Sequence, residues 1–177
     1  DSYPVTIPTI LNEEFAEFLG YVMGDGMIKG EQNVNFFNKN GALRSRFTFL
    51  LKTLFHLDFK EYYANTVEAV MSNSVVLVRL LHSLGVPLYK KSRNVNVPEQ
   101  LLSSPDSVLR SFIMAYISCD GHVGKKELEI TTASKDMRDS LSYVLLRLGV
   151  FHRLSSKLVK ERSYYRIFVP TREAVKI

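Results

Sequence analysis

One nine-residue pattern occurs twice in this chain, and the repeat limits the folds open to it more than any other feature. The first copy reads Phe18-Leu19-Gly20-Tyr21-Val22-Met23-Gly24-Asp25-Gly26, the second Ile113-Met114-Ala115-Tyr116-Ile117-Ser118-Cys119-Asp120-Gly121. Each is an apolar helical run ending in a small residue, Asp and Gly. The similarity continues downstream, where Leu43-Arg44, Phe47–Leu51 and Leu54 align at a constant spacing with Met137-Arg138, Leu141–Leu145 and Leu148, both with helical apolar periodicity. The chain therefore reads as two copies of one plan.

Helix starts are expected at Asn12, with Glu13 and Glu14 in the first turn, and at Ser104, followed by Pro105. Gly26 and Gly121 are expected to stop these helices. Val34–Phe37 and Leu128–Thr132 read as strands, and Phe59–Met71 and Phe151–Val169 as hairpins. Val75–Leu84 reads as a third helix of the first copy, and its counterpart should begin near Thr171. The expected fold is α+β: two pseudo-symmetric αββαββα halves at 1–85 and 104–177, the second cut short in its last helix. They are joined by an ordered linker at 86–103 with few helix signals.

Gly20 and Gly24 lie on one helix face, as do Ala115 and Cys119. Small residues at this spacing predict a close helix–helix interface through Gly20, Gly24, Ala115 and Cys119. Packed side by side, the helices would end with Asp25 and Asp120 as neighbours. Two adjacent carboxylates repel unless a cation lies between them, and a hard divalent ion such as Mg²⁺ suits oxygen ligands. Such an ion polarises a phosphate oxygen and activates water. A single Asp-Gly would be only a turn; two in matched contexts point to a site.

The paired strings resemble the two motifs of LAGLIDADG homing endonucleases, of the two-motif, monomeric type. Val95-Asn96-Val97-Pro98-Glu99 followed by Ser103-Ser104-Pro105 resembles the run-up to the second motif in intein and archaeal intron endonucleases. The resemblance runs from about Glu13 to about Lys176. Met23 and Ser118 replace the motif's first Asp, a variable position, whereas both penultimate acids, Asp25 and Asp120, are present.

The resemblance implies a homing endonuclease fold whose motif helices form the interface and whose strands make a saddle over the DNA major groove. It implies site-specific, metal-dependent hydrolysis of both strands with short 3′ overhangs, supporting mobility of an intron or intein. It implies Mg²⁺, with Mn²⁺ able to substitute and Ca²⁺ able to bind without supporting cleavage. The implied metal ligands are Asp25 and Asp120, with Gly24 and Cys119 beside them. Lys91, Lys39 and Lys135 are the implied active-site lysines. A non-enzymatic nucleic-acid binder on the same fold, an intron maturase or a transcription regulator, is the alternative.

Period-2 alternation places Asn33 and Asn35 on one strand face, Lys60 and Tyr62 on another, then Arg153, Ser155 and Lys157, and Arg162, Tyr164 and Arg166. Together with Lys29, Asn38, Lys90, Arg93 and Ser134, these are the expected DNA contacts: Arg suits guanine, Asn adenine, and Lys phosphate. The expected partner is double-stranded DNA with a long pseudo-symmetric site, bound by a monomer. A net charge of +5 agrees with an anionic partner without requiring one.

His56, His82, His122 and His152 have no ligand spacing, and the single cysteine, Cys119, excludes an intramolecular disulfide and a cysteine-rich zinc site. With no membrane-spanning run or signal pattern, the expectation is a soluble intracellular protein, in an archaeal cytoplasm or an organelle. The absence of splicing-junction residues at either end leans the expected origin toward an intron-encoded enzyme rather than an intein.

Overall fold

The first motif lies on helix α1 (Glu13–Gly24) and the second on α6 (Asp106–Asp120). The computed structural model describes residues 4–177. Asn12 caps α1, its Oδ1 accepting from the Phe15 amide at 2.9 Å. The start of α6 differs from expectation. Ser104 donates its Oγ to the Gln100 carbonyl at 2.8 Å, and Pro105 precedes the helix with no side-chain cap.

After α1 the chain runs through β1 (Gly26–Lys29), β2 (Asn33–Phe37), α2 (Gly41–Phe55), β3 (Lys60–Ala64), β4 (Val67–Asn73) and α3 (Val75–Ser83). The linker holds two single-turn helices, α4 (Lys91–Asn94) and α5 (Glu99–Leu102), which the sequence did not signal. After α6 come β5 (Gly121–Val123), β6 (Glu127–Thr132), α7 (Lys135–Arg147), β7 (Arg153–Val159), β8 (Arg162–Pro170) and the short α8 (Thr171–Ala174). The halves form antiparallel sheets of matching order, β1-β2-β4-β3 and β5-β6-β8-β7. This is an α+β fold of two pseudo-symmetric halves, as expected.

Each sheet buries one face. Val34 and Phe36 of β2 and Leu128 and Ile130 of β6 point inward, toward α2 and α7 respectively. The first half's core is aromatic, with Phe47 stacked between Phe18 at 5.1 Å and Phe36 at 4.5 Å. The second is aliphatic, built on Leu141, Val144, Leu145, Ile167 and Val169. One continuous apolar cluster spans both, because α1 and α6 belong to each core.

The linker is pinned to the second half. Val95, Val97 and Leu101 are buried, and Ser134 Oγ donates to the Val95 carbonyl at 2.7 Å. Arg147 donates to the carbonyls of Leu102 and Ser104 at 2.7 and 2.6 Å. Among the described residues, no helix is long and apolar enough to cross a membrane.

Candidate metal-dependent nuclease site

The geometry of the site begins with the small residues. A Cβ added to Gly20 would lie 2.5 Å from the Phe112 carbonyl oxygen and 2.7 Å from Ala115 Cβ. One added to Gly24 would lie 2.5 Å from Cys119 Cβ. Contacts this short forbid any side chain, so α1 and α6 approach backbone to backbone along the four expected positions. Their C-terminal ends meet, with Asp25 as the cap of α1 and Asp120 as the last residue of α6.

Gly26 and Gly121 act differently from expectation. Neither has positive φ, and each opens a strand. A Cβ on Gly26 would lie 2.5 Å from the Val22 carbonyl oxygen, and one on Gly121 2.4 Å from that of Ile117. Glycine is needed here because the strand leaves the helix through a gap with no room for a side chain.

Both carboxyls are held above the usual carboxylate range, mainly by burial. Asp120 raises Asp25 further, so the two charges interact. Asn38 Nδ2 donates to Asp25 Oδ2 at 2.6 Å. Asn38 is itself fixed by the Asn40 amide at 2.8 Å and by Arg44, which donates to its carbonyl at 2.6 Å. Asn38, expected on DNA, thus serves the acid. On the other side, the buried phenol of Tyr116 stands beside Asp120 and Thr132, and its interaction lowers the Asp120 carboxyl against the effect of burial. Tyr116 and Thr132 were not anticipated, although Tyr stands four residues before the acid in both motifs.

Of the expected lysines, Lys91 is the one whose charge acts on both acids. Its Nζ donates to the carbonyls of Val22, Met23 and Gly24 at 3.0, 3.0 and 2.6 Å, satisfying the open end of α1. Burial depresses its ammonium to about 8, against the pull of Asp120 and Asp25. Lys39 and Lys135 are exposed, and neither bonds an aspartate.

Two carboxylates are a sparse donor set, and no cluster of three or more metal-ligating side chains occurs among the described residues. That fits a hard divalent ion that keeps waters and takes phosphate oxygens rather than a closed protein cage. Of the two other expected ligands, Gly24 has its carbonyl engaged by Lys91. The Cys119 thiol, pushed up to about 12 by burial, stays protonated and is a poor ligand for a hard ion. A cavity of about 250 Å³ opens beside the acids, lined by Lys91, Tyr116, Asp120, Thr131, Thr132 and Tyr164 among others.

The expected base readers divide. Asn33, Lys60, Tyr62, Arg153, Ser155, Lys157, Arg162, Tyr164 and Arg166 lie on the sheet faces turned from the core, and Lys29, Lys90 and Arg93 are exposed. Asn35 shares that face but is 1% exposed, its Oδ1 accepting from the Tyr62 hydroxyl at 2.8 Å, so it supports Tyr62 and meets no outside partner directly. Ser134, also 1% exposed, caps α7 and ties down the linker, which removes it from the DNA-facing set.

Residues 107–177 match the family model described as a LAGLIDADG-like domain. The chain is 38% identical over 167 residues to an A-type ATP synthase protein of Pyrococcus abyssi, covering 93% of this chain and 16% of that protein. It is 37% identical over 163 residues to the replication factor C small subunit of Methanocaldococcus jannaschii, covering 89% of this chain and 9% of that protein. The chain thus spans under a fifth of either relative. Among solved structures, one of the mesophilic variants from the homing endonuclease I-DmoI superposes with a TM-score of 0.73 at 17% identity, over 94% of this chain and 87% of that one. I-DmoI has also been solved in complex with DNA and Ca, and with DNA and Mn. The second half of the chain therefore matches a LAGLIDADG-like domain, and the chain as a whole has the homing endonuclease fold.

Proposed function

We propose that the chain is a site-specific double-strand DNA endonuclease that hydrolyses phosphodiester bonds with divalent ions and leaves short 3′ overhangs. The observation that carries this reading is the meeting of Asp25 and Asp120 at the joined ends of α1 and α6, between two four-stranded sheets. Mg²⁺ bound there would polarise a scissile phosphate and lower the pKa of attacking water. The chain's own residues do the rest. Asp25 and Asp120 hold the ions, Asn38 and Tyr116 orient those carboxylates, and the Lys91 ammonium offsets charge gathering near phosphate. The two sheets grip the duplex as a monomer, one on each half of a long, pseudo-symmetric site.

The same stretch matches inside an ATP synthase protein and inside a replication factor protein, each many times longer than the match. One sequence shared by proteins of unrelated name supports a mobile insert translated with its host. It favours the endonuclease domain of an intein over the intron-encoded origin expected from the chain ends.

Asp25→Asn and Asp120→Asn are each expected to abolish double-strand cleavage in Mg²⁺ while retaining duplex binding in Ca²⁺, because the amide keeps the shape and loses the charge that holds the ion. Full cleavage by both variants would sink the metal-ligand assignment. Lost binding in both would mean that the aspartates maintain the helix interface. A duplex left uncut by the wild-type chain across all of its selected sites would favour a binder without catalysis.

A further inference from the structure

The sheets match in register but not in chemistry. Phe36 pairs with Gly26 and Val70 as Ile130 pairs with Gly121 and Ile167. Counting outward on the faces turned from the core, Ala69 occupies the place of Arg166, Val67 that of Tyr164, and Ala64 that of Lys157. Met27, 41% exposed, stands where the second sheet has His122. Ala69 itself is buried, so near the site the first sheet presents the thioethers of Met27 and Met71 and the Tyr62 ring, while the second presents Arg166 and Glu129; Lys60 and Arg153 keep one cation at the matched edge of each.

Within the second sheet, Arg166 and Glu129 form a preset pair. Arg166 Nε donates to Glu129 Oε1 at 2.6 Å, and Thr131 Oγ1 donates to the same oxygen at 2.9 Å. The Arg166 guanidinium lies over the Phe168 ring, 4.7 Å from its centroid. Among the described residues, the two terminal guanidinium nitrogens and Glu129 Oε2 make no further hydrogen bond. Two parallel donors beside one acceptor match guanine O6 and N7 beside the amino group of cytosine.

We infer that the two sheets read their half-sites by different chemistries. Arg166 and Glu129 specify a guanine–cytosine pair under the second sheet, and the first sheet, through Met27, Met71 and Tyr62, packs against thymine methyls. The inference rests on the endonuclease reading and adds the base class that each half accepts. The target is then asymmetric in kind: a paired Arg–Glu readout on one side, and methyl contact flanked by Asn33 and Lys60 on the other.

The test is selection of duplexes from a randomised library by the full chain in Ca²⁺, where binding is read without cleavage. One half-site is expected to fix a G·C pair and the other to favour thymine. Arg166→Lys keeps the positive charge and loses the fork, so affinity for the guanine-bearing duplex, and with it guanine discrimination, should fall roughly tenfold or more while affinity for duplexes lacking that guanine changes little. Glu129→Gln should relax the cytosine choice at the same position. Replacing thymine by uracil in the other half-site needs no variant and should weaken binding about fourfold for each buried methyl lost. Equal readout in both halves, unchanged guanine preference in Arg166→Lys, or indifference to uracil overturns this inference alone. Failure to retain any duplex overturns the DNA-binding reading and the inference with it.

Discussion

Lys91 donates a 2.6 Å hydrogen bond to the carbonyl of Gly24, the residue immediately before Asp25. A linker residue thereby closes the end of the first motif helix, and its charge lies against both acids. The expected consequence is a stability that depends on pH. The folded-state value of about 8 lies below the ordinary 10.5, so between them the unfolded chain binds more protons. The Lys91 contribution should therefore rise with pH, by about 1.5 kcal/mol between pH 8 and 9.5, and is partly offset by the Cys119 thiol, whose raised value favours the unfolded chain above its ordinary 9. Urea titrations of the metal-free chain measure this. Lys91→Met should flatten the slope, and an equal slope in that variant would mean that another group is responsible.

The contact between Gly24 and Cys119 predicts a rescue. Gly24→Ala places a methyl 2.5 Å from Cys119 Cβ and should cost about 1–3 kcal/mol by forcing the helices apart. Cys119→Gly alone should cost only about 0.3 kcal/mol in helix propensity, plus the lost packing of the thiol. The double variant should recover most of the first loss, because the obstructing atom is gone. Gly20→Ala should not be rescued by Ala115→Gly, since its nearest obstacle is the backbone oxygen of Phe112. Thermal melts of the two cycles decide it, and additive losses at Gly24 and Cys119 would refute direct contact.

A third expectation concerns ions. Both acids have raised folded-state values, so their ionisation costs stability as pH climbs through them, and that cost is present at neutral pH. A divalent ion should offset it, adding about 2.7 kcal/mol when free ion is a hundred times its Kd. Ca²⁺ should raise the melting temperature of the wild-type chain and leave the Asp25→Asn/Asp120→Asn variant unmoved. That variant should also be the more stable of the two without metal. An equal Ca²⁺ shift in both would place the ion elsewhere.

The interface and its acids were legible because they depend on chain-local facts: a small residue at every fourth position and an Asp at each helix end. The strand faces were legible for the same reason. Burial depth on those faces was not, since Asn35 points as alternation dictates yet is covered by Tyr62 from two strands away. Single turns such as α4 are too short for periodicity to register. The partners of the acids arise from tertiary approach: Asn38 reaches Asp25 only because the Phe37 amide donates to the Asp25 carbonyl at 3.1 Å, which brings the end of β2 beside α1.

Tyr21 and Tyr116 occupy equivalent motif positions but are wired differently, and this supplies the last prediction. The Tyr21 hydroxyl donates to Glu17 at 3.0 Å, within a cluster in which Arg46 also holds Glu17, at 2.7 Å. The Tyr116 phenol acts on Asp120 instead, lowering its carboxyl against burial. Tyr21→Phe removes a bond remote from the acids and should lower stability by about 1 kcal/mol with cleavage intact. Tyr116→Phe removes a donor that favours the ionised form of Asp120, so that acid should become harder to ionise and less well oriented. Cleavage should slow about tenfold, with the deficit growing as pH falls, because protonated Asp120 holds no ion. The acids belong to different halves with different partners, so the strand dependent on Asp120 should be cut more slowly than its complement and nicked duplex should accumulate. Quenched time courses on a supercoiled plasmid, scored for nicked and linear forms across pH, separate the outcomes. Equal slowing by both phenylalanine variants, or no accumulation of nicked product in Tyr116→Phe, would reduce Tyr116 to a packing residue.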